Sequence, residues 1–64
     1  MDSKEVYVRE FQDILATEVR FVTQYGALID KLKKSDVCDK LREIYKDEQR
    51  HVEIAKDLLR MVSE

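Results

Sequence analysis

Apolar residues recur along this chain in two stripes, each stepping alternately by three and four. In the first half the stripe runs Tyr7, Phe11, Ile14, Glu18, Phe21, Tyr25, Leu28, Leu32. In the second half it runs Val37, Leu41, Ile44, Glu48, His51, Ala55, Leu58, Val62. That alternation is the a/d pattern of a bundle helix, and a strand would require a period of two. Val8, Leu15, Val22 and Ile29 widen the first stripe, and Cys38, Tyr45, Val52 and Leu59 widen the second. The pattern predicts one helix from about Ser3 to Lys33, a turn at about Lys34–Asp36, and a second helix from about Asp36 to Val62.

The ends of these helices rest on capping chemistry, because no Gly or Pro marks the turn. Asp2 with Glu5 has capping-box spacing, and Ser3 is an alternative N-cap. Lys31, Lys33 and Lys34 suit the negative end of the first helix, while Ser35, Asp36 and Asp39 suit the start of the second. Gly26 lies inside the first helix at a cost of roughly 1 kcal/mol relative to Ala. It leaves room there for close approach of a neighbour. The chain is therefore expected to be all-α, residues 1–64 forming a single antiparallel helical hairpin.

Length changes the picture next. Sixty-four residues make one small domain, and two helices alone would leave much of each stripe in water. Self-association into a four-helix bundle is the expected solution, with a homodimer the simplest closure and higher homo-oligomers also compatible. The charged fraction of 41% and the single Gly suit long solvated helices. A net charge of −2 with interspersed signs gives no basic patch for nucleic acid, and no apolar run is long enough to predict a membrane span. The opening Met-Asp-Ser-Lys-Glu-Val lacks the apolar core of a secretory signal. With one Cys, which fits a reducing compartment, the expected location is the cytoplasm.

Only three residues interrupt the stripes with polar groups: Glu18, Glu48 and His51. Glu48 and His51 form Glu-x-x-His and share one helix face. With the turn centred near Lys34, Glu18 lies 16 residues before it, and Glu48 and His51 lie 14 and 17 after it. In an antiparallel hairpin all three then stand at one level, roughly 21–26 Å from the turn. Each has an ordinary reading taken singly, since a core Glu can join a salt bridge and a core His is often a satisfied packing residue. Together, two carboxylates and an imidazole suit Fe(II), Mn(II) or Zn(II). One chain offers too few ligands to close a site. Two hairpins about a two-fold axis supply four carboxylates and two histidines, enough for two metals. Glu48 and its symmetry mate would bridge, with Glu18 and His51 as terminal ligands. Carboxylates gathered this way are costly to bury without metal, so metal is expected to stabilise the dimer.

These residues resemble a family. Asp47-Glu48-Gln49-Arg50-His51 is similar to the Asp-Glu-x-x-His helix of ferritin-like di-iron proteins such as rubrerythrins and bacterioferritins. Glu18 followed by Tyr25 is similar to the paired helix, whose Tyr bonds a ligand carboxylate. The 30-residue spacing from Glu18 to Glu48 resembles that of half-ferritins, including the encapsulated ferritin-like proteins. The resemblance implies Glu18, Glu48 and His51 as iron ligands, two irons per dimer. It implies Tyr25 as a donor to a ligand carboxylate, and Asp47 as the partner of a His51 ring N–H, across the dimer in one arrangement. It implies oxidation of Fe(II) with oxygen or peroxide, in iron handling or oxidative-stress defence. Unlike full rubrerythrins, this sequence has no four-Cys iron domain, which implies an external electron donor. Two further readings share the same residues: a non-catalytic helical dimerisation module whose Glu and His form a buried polar network that sets register, and a structural zinc site. Cys38, Tyr7 and Tyr45 read as packing residues, and the outer charges as a solvated face.

Overall fold

The computed structural model describes residues 3–64. It consists of two helices, α1 (Ser3–Lys31) and α2 (Ser35–Ser63), packed side by side as a hairpin. The expected pairing of Asp2 with Glu5 involves a residue outside those described. No described helix is long and apolar enough to cross a membrane. The hairpin measures 50 × 15 × 11 Å and has a radius of gyration of 14.9 Å. A compact chain of this length would have a radius near 11 Å. The molecule is therefore a rod with much more surface than a globule of its size.

The turn occupies residues 32–34, one or two residues earlier than capping chemistry suggests. Its organiser is Cys38, one of only two buried residues among those described. The Cys38 thiol donates to the Leu32 carbonyl oxygen at 3.1 Å, and the Ile29 carbonyl lies 3.8 Å from Sγ. Those carbonyls sit at the end of α1, where the helix leaves its own acceptors unpaired. The thiol satisfies the Leu32 carbonyl from across the turn and pins the start of α2 to the end of α1. The Cys38 amide closes the first turn of α2 on the Lys34 carbonyl at 3.0 Å. No side chain caps α2: Lys34 occupies the N-cap position, and Asp36 falls within the first turn, accepting from the Val37 amide at 2.9 Å. Asp36 still places negative charge at the positive end of the helix.

Two helices can cover only one side of each apolar stripe, and the structure shows which. The seam between α1 and α2 is built from Val8, Phe11, Leu15, Val22, Tyr25 and Ile29 against Cys38, Leu41, Tyr45, Val52, Ala55 and Leu59, all buried or half-buried. Ala55 is buried to 3% exposure, which marks close approach of the two helices. Near the turn, Gly26 gives similar clearance. A methyl added there would stand 3.4 Å from the Tyr45 ring.

The remaining stripe positions form two seven-residue columns that stay open: Tyr7, Ile14, Phe21 and Leu28 on α1, and Val37, Ile44, His51 and Leu58 on α2. The seven apolar members are between 36% and 56% exposed. This is the outcome expected of two helices alone, which leave much of each stripe in water. Tyr7, expected to pack, is 56% exposed. On the outer face the ion pairs are local and solvated, such as Glu53–Lys56 at 3.6 Å and Asp39–Arg42 at 3.3 Å. Pairs of this kind contribute little.

Cys38→Ala removes the thiol hydrogen bond and a buried sulfur. It is expected to cost about 1–2 kcal/mol, read as a lower urea midpoint at unchanged slope. An unchanged midpoint would mean the thiol does not hold the turn.

Candidate metal centre

Glu18 comes from the middle of α1, and Glu48 and His51 from the middle of α2. Because 18 and 48 are equidistant from the centre of the loop at residue 33, the antiparallel hairpin brings them to one height. The structure gathers all three. His51 Nδ1 lies 3.8 Å from Glu18 Oε2 and 3.8 Å from Glu48 Oε2. One ligand atom from each residue lies within 4.8 Å of the other two.

The three residues do not share one environment. Glu18 and Glu48 belong to the half-buried seam, with side chains 21% and 18% exposed. His51 belongs to the open column, and its side chain is 52% exposed. The cluster thus lies at the edge of the seam and opens onto the uncovered apolar face. Among the described residues, Glu18 Oε2 and Glu48 Oε2 are buried and have no hydrogen-bond partner. Buried polar atoms nearly always have one, so an orphaned pair facing each other needs an explanation.

The acid–base state of Glu48 reports the same crowding. Its carboxyl is held above the ordinary carboxylate range, first by Glu18, to which a protonated Glu48 can donate a hydrogen bond. Burial and the like charge of Glu18 act in the same direction, and His51 opposes them. When both acids are ionised, no proton lies between them and both oxygens are left unpaired.

The donor set fits a divalent metal ion. First-row ions hold carboxylate oxygens and imidazole nitrogens at about 2.0–2.2 Å, so donors on one ion stand roughly 3–4 Å apart. The two 3.8 Å separations fall in that range. A cation would also give the orphaned oxygens the partner they lack.

The two supporting residues implied by resemblance lie further out. Tyr25 is half-buried on the seam, two helical turns or about 10.5 Å along α1 from Glu18. No described residue hydrogen-bonds to its hydroxyl. Asp47 is exposed beside Glu48, and no described residue hydrogen-bonds to it either. Sequence reasoning did not find that His51 stands in an open column. The signal was present in the seven-residue run Val37, Ile44, His51, Leu58, which only the packing of α1 separates from the buried positions.

Comparisons with protein-family models, with curated proteins and with solved structures found no match.

The raised Glu48 pKa has a defined consequence for the metal-free protein. Below the ordinary carboxylate range Glu48 is protonated in both folded and unfolded chains and makes no difference. As pH rises from there through the raised folded-state value, the unfolded chain releases its proton first, and folding stability falls. Glu48→Gln should therefore match the wild type in acid and melt higher than it above that window, with chelator present. Equal melting temperatures at neutral pH would show that the pair carries no strain.

Proposed function

We propose that this chain is a metal-binding protein of the di-iron carboxylate type, whose dinuclear site forms between two hairpins and oxidises Fe(II) with oxygen or peroxide. The observation that carries the reading is the pair of buried, unpartnered carboxylate oxygens facing a histidine nitrogen at mid-height in an otherwise apolar stripe. A second hairpin laid on the open columns would complete a four-helix bundle, which is the architecture that builds such sites from inward-facing side chains. It would cover Tyr7, Ile14, Phe21 and Leu28 together with Val37, Ile44 and Leu58. It would also bring a second Glu18, Glu48 and His51 to the same level.

Each residue then has a role. Glu18, Glu48 and His51 would hold the metal, with His51 using Nδ1, the nitrogen that already faces both acids. Asp47, exposed on the flank of the open face, would come within reach of the partner's exposed His51 ring and orient it. Tyr25 would donate to a carboxylate of the assembled site. When bound, two irons supply the electrons, each Fe(II) giving up one, so that peroxide with two protons leaves as two waters. The apolar residues above and below exclude bulk water and keep the carboxylates directed at the metal.

The same ligands suit Mn(II) or Zn(II), and zinc would hold the dimer without oxygen chemistry. A purely structural Glu–His network is the weaker reading, because such networks specify a fold only when every member is satisfied. Here two carboxylate oxygens have no partner once both acids are ionised.

Purified without chelators and titrated with Fe(II) under anaerobic conditions, the protein should bind about one iron per chain. It should then develop a ferric absorbance band on addition of oxygen or peroxide. Glu18→Ala, Glu48→Ala and His51→Ala should each abolish most of the binding. A Glu18→Ala variant with full metal content and an unchanged oxidation rate would sink the assignment.

A further inference from the structure

One position breaks the character of the face opposite the open columns. Seven-residue steps from Val19 give Gln12, Gly26 and Lys33 on α1, and the matching positions of α2 are Arg42, Gln49 and Lys56. Val19 is the apolar exception among them, and it is 46% exposed. Val19 stands 14 residues from the centre of the loop and Gln49 stands 16, against 15 for both Glu18 and Glu48. The exception therefore lies at the height of the metal cluster, behind it.

A groove of about 280 Å³ opens there, lined by Val19, Val22, Thr23, Gln49, Val52 and Glu53. Side chains of a helix lean toward its N-terminus. Val22 and Thr23, turnward of the cluster, therefore lean away from the turn, while Val52 and Glu53, beyond it, lean back. The four converge on the level of the cluster. Val22 and Val52 are half-buried in the seam, one helical turn from Glu18 and Glu48 respectively. The groove floor and the acids thus share one stretch of the seam.

The polar groups at the mouth are already engaged. The Thr23 hydroxyl donates to the Val19 carbonyl at 3.1 Å, and Glu53 pairs with Lys56 at 3.6 Å. Gln49 carries no charge. A cation entering here meets no free carboxylate at the mouth, and a peroxide crossing the valine floor would give up its hydrogen bonds to water. Dioxygen has none to give up, and apolar recesses accept small apolar molecules.

We propose that this groove admits dioxygen to the metal site from the face that pairing leaves open. The inference rests on the proposed metal function and names its oxidant and the route taken. A second hairpin on the open columns would close the approach past His51, whereas the groove lies on the other side of the seam and keeps its contact with solvent. Dioxygen arriving there takes one electron from each of two Fe(II) ions, together with two protons from water, and leaves as hydrogen peroxide.

Dissolved dioxygen is paramagnetic, so methyl relaxation in the metal-free full chain, compared under oxygen and under argon, reads its occupancy without iron. The Val22 and Val52 methyls should relax several-fold more under oxygen than those of Ile29 and Leu59, which are also half-buried but lie elsewhere on the seam. Val19→Trp fills the groove from an exposed position. It should remove that excess at Val22 and Val52, and slow the ferric band after oxygen several-fold at unchanged iron content. Gln12→Trp, one heptad along the same column, should change neither. Equal relaxation at the four residues overturns the site, and an iron-loaded Val19→Trp that reacts with oxygen at the wild-type rate overturns the route. A chain that binds no iron removes the metal function, and the route with it, even where the methyls still report oxygen.

Discussion

Two carboxylates set into an apolar seam with no hydrogen-bond partner for their inner oxygens are the constraint on which this molecule turns. Glu18 and Glu48 face each other with His51 beside them, held there by helices whose other contacts are apolar. Within a single hairpin His51 only partly opposes the cost of holding the two acids close, and the Glu48 carboxyl is displaced above its ordinary range. That crowding is the feature on which the proposed metal site rests.

The rest of the hairpin makes this placement possible. The short loop fixes the register between α1 and α2, and the buried Cys38 thiol fixes the loop by satisfying the Leu32 carbonyl at the end of α1. A shift of one residue in that register would move Glu18 about 1.5 Å along the rod relative to Glu48 and rotate it off the seam. Ala55, and Gly26 beneath the Tyr45 ring, let the helices run close along the seam. Local features far from the acids therefore decide the 3.8 Å separation between His51 and Glu18.

The open face and the acids belong to one design. A hairpin this thin cannot bury its own stripes, and half of each is left in water. A wholly apolar face of that size would associate without control. Here that face carries the Glu18–Glu48–His51 cluster at its edge, midway along the rod.

The sequence by itself determined a good deal. The alternating three- and four-residue spacing dictated two helices, and the interruption of both stripes at Glu18, Glu48 and His51 marked the cluster. Equal distance from the turn placed the cluster at one height, since the rise of a helix is constant. What it left undecided was which side of each stripe the helices would turn toward each other. An a/d pattern is symmetric about its own axis, and Phe11 and Ile14 read alike until a neighbour covers one of them. Only tertiary packing made Phe11 part of the seam and left Ile14 open, kept the two acids half-buried while turning His51 outward, and stripped two oxygens of partners. The turn was also beyond sequence reasoning, because it depends on a thiol reaching a carbonyl six residues back, a contact with no local code.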